Sequence, residues 1–213
     1  VWVLEQSYLP TMLKMNAYDT ICHEHLEYYG LRQIQWMTER AGLKIVDVEL
    51  NAINGGSFSI MLAKSGSSYR PNAAAIGKLL RQEKVLSTRK PFDAFRRRTL
   101  AHRDALLRFF KKARKEGKKI LGYGASTKGN VILQFCGVTT KDLPCIGEVN
   151  TEKFGSYTPG TLIPIVPEQE AKAQNPDYLL VLPWHFKDFI LKKEAQFLKK
   201  GRLLFPLPSL KVF

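Results

Sequence analysis

Residues 119–130 read KILGYGASTKGN. A short apolar run ends on Gly122, a second glycine follows at Gly124, and an apolar helical segment begins after Gly129. Strand, glycine-bearing turn and helix in series are the opening of a parallel α/β unit. Working outward, Leu143–Val149, Tyr178–Leu182 and Arg202–Phe205 read as further strands. Asn130–Cys136, Glu168–Ala173 and Lys187–Lys200 read as helices, and Phe154–Pro167 as an irregular loop carrying Pro159, Gly160 and Pro164. The order β-α-β-loop-α-β-α-β predicts a Rossmann-like, doubly wound, mostly parallel sheet.

Upstream, Val1–Leu4 reads as a buried strand and Ser7–Met15 as a short helix or turn around Pro10. In Leu31–Ala41 the residues Leu31, Ile34 and Met37 recur near a period of 3.6, and Gly42 follows as a stop. LKIVDVEL (43–50) and FSIMLAK (58–64) read as a hairpin around Asn54-Gly55-Gly56. SGSSYRP (65–71) is a break in composition, so the chain divides into residues 1–66 and 67–213. The second part opens on a long, basic, helical lead-in, Asn72–Glu116, broken near Pro91.

Hydrophobic residues make 45% and charged residues 24% of the chain, the balance of a globular protein. No apolar run approaches the ~18 residues of a membrane span. The three cysteines, Cys22, Cys136 and Cys145, have no CxxC spacing, so neither a zinc site nor a disulfide framework is expected, and a reducing cytoplasm is the default location. The net charge of +14 favours phosphate-bearing partners. Its densest stretch, Arg89–Lys119, is read as the solvated face of a helix. It matches no nucleic-acid module, which argues against nucleic acid as a partner. VWVLEQSYLP has no signal-peptide pattern and no initiator Met, and is read as the start of a fragment whose upstream sequence is missing.

Two places carry chemistry. The turn residues Gly122, Gly124 and Ser126, with Lys128 beside them, offer free N–H groups and positive charge to a phosphate or carboxylate. Gly129 arrives two positions late for the GxGxxG dinucleotide fingerprint, while Glu148 has the position of a ribose acceptor. A plain strand-to-helix turn with no ligand accounts for the same residues. The second place is His23-Glu24-His25 in YDTICHEHLEYYGL. The i, i+2 spacing and the lack of further ligands disfavour a metal site. Two imidazoles around one carboxylate suit acid–base work near neutral pH.

YDTICHEHLEYYGL, NGGSFSI, GYGASTKGN, EVNTEKFGSYTPGTLIPI, PWHF and a late PLP occur in one order, and together they resemble the sugar C-methyltransferase family. The resemblance covers nearly the whole chain apart from the basic helical stretch. It implies transfer of a methyl group from S-adenosylmethionine to C3 of a nucleotide-linked 4-keto-deoxysugar. It also implies an N-terminal zinc module, a central class I methyltransferase domain that binds the donor, and a C-terminal Rossmann-like domain that closes over the sugar nucleotide. On this likeness the chain starts late in the central domain. The 43–64 hairpin supplies its last two strands, the final one antiparallel. No cofactor is then expected to bind this piece, and the isolated chain is predicted inactive.

The family's Tyr-His-Glu-His pattern implies that His25 is the general base, with Glu24 its partner and Cys22 standing where the family has a tyrosine. Tyr18 and Tyr28 are the nearby phenols that could stand in. His23 is counted with the substrate contacts. Lys128 and Lys153 are implied for the diphosphate, and Gly122, Gly124, Ser126, Glu148, Pro159, Gly160 and Thr161 for the rest of the nucleotide. A plain turn for Pro159-Gly160-Thr161, and core packing for Trp184 and Phe186, stand as the alternatives. The competing functions are a non-catalytic nucleotide or nucleotide-sugar binding module and a nicotinamide-dependent oxidoreductase, the latter disfavoured by the glycine spacing.

Overall fold

In the computed structural model, which describes residues 1–213 with the exception of Asn54, the chain forms two compact units. Val1–Ala17 and His25–Arg96 make the first. Tyr18–Glu24 and Arg97–Phe213 make the second.

The first unit is a three-stranded antiparallel sheet with helices. β1 (Trp2–Ser7) leads to α1 (Leu9–Lys14), then α2 (Leu31–Arg40), β2 (Leu43–Asn51) and β3 (Ser57–Lys64). The strand order is β1-β3-β2, so the expected hairpin forms and β1 pairs with the other side of β3. The opening strand is not the buried one that its apolar residues suggest. Val1, Trp2 and Val3 are all more than half exposed, because β1 is an edge strand paired on one side only. α2 turns Leu31, Ile34 and Thr38 inward, while Met37 is only partly covered and Trp36 is more than half exposed.

α3 (Ala73–Gln82) explains why the composition break at 65–71 lies inside this unit. Leu79 joins the core of Leu31, Ile45, Phe58, Ile60 and Leu62, with Ala75, Ile76 and Leu80 packed against it. The connector is also tied down: Lys44 Nζ donates to Ser67 O at 2.7 Å, and Asn72 N donates to Val46 O at 2.7 Å. The division between units falls further on, within α4 (Lys90–Lys115). Pro91 sits in the first turn of α4, where its missing N–H costs nothing. Past Arg96 the helix buries Thr99, His102, Leu106, Phe110 and Ala113, a stripe at helical spacing. Its basic residues occupy the remaining faces.

The second unit is an α/β sheet. β4 (Ile120–Tyr123), α5 (Thr127–Cys136), β5 (Ile146–Glu148), β6 (Ile165–Pro167), α6 (Glu168–Ala173), β7 (Tyr178–Val181), α7 (Lys187–Lys193), β8 (Arg202–Phe205) and β9 (Lys211–Val212) follow in sequence. The sheet order is β6-β5-β4-β7-β8-β9, parallel throughout except for the antiparallel β9. The short edge strand β6 falls in a stretch read from sequence as loop, and β9, at the other edge, lies past the last strand read from sequence. The last helix ends at Lys193 rather than Lys200 and continues as short turns. The chain lays β5 and β6 on one side of β4, then crosses back to place β7 and β8 on the other. That reversal opens a crevice at the carboxyl ends of the strands, where α/β sheets bind ligands.

Candidate functional site

The glycine turn is built as much for packing as for approach. Gly122 lies within β4, and a Cβ there would stand 2.5 Å from Ile146 Cγ1. Gly129 lies in α5 with no room for a side chain, since a Cβ would meet Leu182 Cβ at 2.7 Å. Gly124 has φ of +77°, the left-handed region that glycine adopts without strain. Ser126 is the N-cap of α5 and accepts from Gly129 N at 3.0 Å, which satisfies one of the free helix donors.

A cleft of about 580 Å³ opens at the reversal point, with Gly124, Ser126, Glu148, Lys153, Phe186 and Phe189 in its wall. Glu148, at the end of β5, is 8% exposed. Its Oε2 accepts from Ala125 N at 2.7 Å. Its Oε1 accepts from Val149 N at 2.7 Å and Asn150 N at 2.9 Å. A carboxylate has about four acceptor positions, so three backbone bonds fix this one in place and leave one free. Lys153 donates to Ala125 O at 2.8 Å, so its ammonium braces the turn as it lines the cleft.

One side of the cleft is a charged network that the sequence did not reveal. Tyr123 donates to Glu194 Oε1 at 2.8 Å. Lys193 donates to Tyr123 Oη at 2.8 Å and to Glu168 Oε2 at 2.7 Å. Lys172 reaches Glu168 Oε1 at 2.8 Å and Glu194 Oε2 at 2.6 Å. Burial, and then Glu194, push the Tyr123 phenol far above its ordinary range. Burial alone would raise the Glu168 carboxyl, but the bonds from Lys172 and Lys193 outweigh it and hold the pKa below the usual value. Lys172 shows the reverse: burial lowers its pKa, and the two glutamates more than restore it. The only sequence signal for this network is the i, i+4 pair Glu168–Lys172, which usually marks a solvated helix face.

The other residues singled out from sequence lie off this cleft. Pro159, Gly160 and Thr161 form a turn in which Pro159 O accepts from Gln134 Nε2 at 2.8 Å. Thr161 Oγ1 lies 2.6 Å from Thr158 Oγ1. Lys128 is half-buried and does not line the cleft; its charge acts on Asp19 and His185.

The histidine segment has turns but no helix or strand. The division between units falls between Glu24 and His25. In the second unit Cys22 is a half-buried free thiol. His23 and Glu24 are exposed, with 4.0 Å between His23 Nε2 and Glu24 Oε1, a pairing that solvent screens heavily. In the first unit His25 is half-buried, its ring near-parallel to that of Tyr28 with centroids 6.5 Å apart. Tyr18 is committed elsewhere: it is buried, with Oη 3.0 Å from His102 Nδ1 and 3.5 Å from Cys136 Sγ. Its neighbour Asp19 is fully buried and accepts from Trp184 Nε1 at 2.7 Å. Burial raises the Asp19 pKa, while the Trp184 bond, Lys128 and nearby backbone amides pull it back. YDT and PWHF, far apart in sequence, thus meet. Among the described residues no group of three or more His, Cys, Asp or Glu side chains could hold a metal ion. No described helix is long and apolar enough to cross a membrane.

Comparison with known proteins agrees with the motif order. Residues 52–208 match the family described as C-methyltransferase C-terminal domain. The C-methyltransferase NovU of Streptomyces niveus is 31% identical over 215 aligned positions, which cover 100% of this chain and 51% of NovU. The chain therefore spans about half the length of the curated relative it matches.

Proposed function

The chain belongs to the C-methyltransferase family, and from that premise we propose that it serves methyl transfer from S-adenosylmethionine to the carbon beside the ketone of a nucleotide-linked deoxysugar, in the cytoplasm, with His25 as general base. The observation that carries this reading is the placement of His25. In a chain of this family its imidazole is half-buried in a segment free of helix and strand, beside Tyr28, rather than sealed in a core.

A carbon next to a ketone is acidic because its anion spreads onto the carbonyl oxygen. His25 takes that proton and Glu24 assists. The enolate carbon then has a nucleophilic pair, and the donor supplies the electrophilic methyl group. Cys22 leaves the family's tyrosine position without a phenol. The bonds of Tyr18 in the core argue against it as the stand-in, and the place of Tyr28 beside His25 supports Tyr28. The cleft of the six-stranded unit suits the nucleotide. Glu148 keeps one acceptor position for a ribose hydroxyl, and the exposed rings of Phe186 and Phe189 offer apolar surface to a base. Gly122 and Gly129 are packed against Ile146 and Leu182, which argues against the turn as the donor site; the reading also has the 213-residue chain, which spans about half the length of NovU, not turn over alone.

Proton exchange tests the assignment directly. The complete enzyme in heavy water should wash deuterium into the carbon beside the ketone, and His25→Ala should abolish both that exchange and turnover while donor affinity stays nearly unchanged. Exchange at the normal rate in the variant would remove His25 from the reaction. A second reading, a non-catalytic nucleotide or nucleotide-sugar binding module, is favoured by the cleft alone. Melting shifts with thymidine diphosphate, S-adenosylmethionine and NAD separate the two, because a ligand that binds only the native state stabilises it.

A further inference from the structure

Tyr18–Glu24 packs with residues 97–213, although the chain on both sides of it belongs to the other unit. Two side chains hold it there. Asp19 is 0% exposed and bonded to the Trp184 indole at 2.7 Å; Tyr18 is 3% exposed, bonded to His102, and its ring centroid lies 5.1 Å from that of Phe135. The short turn Tyr18–Thr20 packs on α5. An apolar residue could fill the place of Asp19 without the cost of burying a carboxylate. What the carboxylate adds is direction, because a hydrogen bond to one indole N–H fixes the angle of the turn as well as its depth. Trp184 is itself 5% exposed and stands just past the carboxyl end of β7, on a rigid part of the sheet.

We infer that Asp19, acting through Trp184, is a positioning residue that fixes the Tyr18–Glu24 segment on the six-stranded unit, and with it Glu24, the proposed partner of the base. This rests on the reading of His25 as the base. The segment it anchors carries three successive residues of the proposed site, Cys22, His23 and Glu24, none of which has helix or strand geometry of its own. Neither Asp19 nor Trp184 lines the cleft at Glu148, so losing the bond should leave nucleotide binding there intact.

The test uses Trp184→Phe, which keeps the ring and removes the donor, and Asp19→Asn, which keeps an acceptor and removes the charge, both in the full-length protein. A hydrogen bond to a charged group accounts for about a tenfold change or more in the equilibrium it controls. Turnover should therefore fall about tenfold or more in Trp184→Phe, with KM for the donor within about twofold. The pH at which kcat inflects should not move, because the base itself is unaltered. The double variant should be no worse than the poorer single one, as expected for partners in one bond. Independently of activity, a glutamate-specific protease should cut after Glu24 about tenfold faster in both variants and after Glu116 at the original rate. Wild-type kcat together with wild-type cleavage after Glu24 would overturn the inference, and so would equal acceleration at Glu24 and Glu116, which means general loosening. If His25→Ala keeps full activity, the base assignment falls, and the cleavage pattern still decides whether Asp19 holds the segment.

Discussion

Replacing Glu83 by Ala should destabilise the first unit by about 2 kcal/mol, and the structure sets that figure. Glu83 is 6% exposed and reaches across from the end of α3 to cap α2. Its Oε1 accepts from Leu31 N at 2.5 Å and its Oε2 from Arg32 N at 3.0 Å. Both donors are orphan amides of a helix first turn. Hydrogen bonds to a charged group contribute about 1.5–3 kcal/mol each, and an anion at a helix N-terminus about 0.3–1 kcal/mol more. The gain is offset by the desolvation of the carboxylate, and the Arg32 amide can turn to water in the variant. The buried Leu31 amide cannot, so a net loss of about 2 kcal/mol remains. At roughly 2–4 °C per kcal/mol for a chain of this size, Tm should fall about 4–8 °C. Glu83→Gln keeps one acceptor oxygen and should lose about half as much. Urea unfolding followed by circular dichroism measures both. An alanine variant within about 0.5 kcal/mol of the parent would refute the capping argument.

Two further outcomes follow from the second unit. Gly129→Ala places a methyl carbon 2.7 Å from Leu182 Cβ, so α5 must shift from the sheet. The cost of about 1–3 kcal/mol should exceed the gain in helix propensity of about 1 kcal/mol and lower the urea midpoint, and an unchanged midpoint would contradict the packing. Burial, and then Lys128, push the His185 pKa down to about 4 from an ordinary 6.5. Its unfolded form therefore takes up a proton first as the pH falls. Stability from this residue is complete above about pH 6.5 and is lost progressively toward pH 4, on the order of 1–3 kcal/mol. Asp19, with its raised pKa, acts in the opposite sense, most favourable below its unfolded value and less so as the pH rises through its folded one. His185→Gln should shrink the decline between pH 6.5 and 4 in a Tm-against-pH series, leaving the part due to buried His102, whose pKa burial also lowers, and persistence of the full decline would exclude His185 as a source.

The parallel unit was legible from sequence because each of its main elements has a local signature. Apolar runs at Ile120–Tyr123, Tyr178–Val181 and Arg202–Phe205 alternate with helical stretches, and that alternation fixes the class. β6 was not legible: three residues between Pro164 and a terminal Pro167 have no periodicity, and the strand exists only because β5 lies beside it. The cleft was half visible. Glu148 and Gly124 were found by their places in a nucleotide-binding pattern. Tyr123, Lys193 and the buried Glu194 gain their surroundings from α7 folding back over β4, which no local window contains. Likewise the glycines near the turn look alike in sequence, and only the coordinates show that Gly129 makes room for Leu182 rather than for a ligand. The anchoring of Tyr18–Asp19 joins residues more than eighty positions apart, beyond the reach of any motif.

Recombination between relatives meets an awkward seam here. A crossover placed at the composition break, the natural choice from sequence, would pair Asp19 and Tyr18 from one parent with Trp184 and His102 from the other. Between parents as distant as this chain and NovU, 31% identical, such a chimera could inherit a carboxylate buried against a side chain that cannot donate to it. Joining the parents before Tyr18 keeps each lock with its own key.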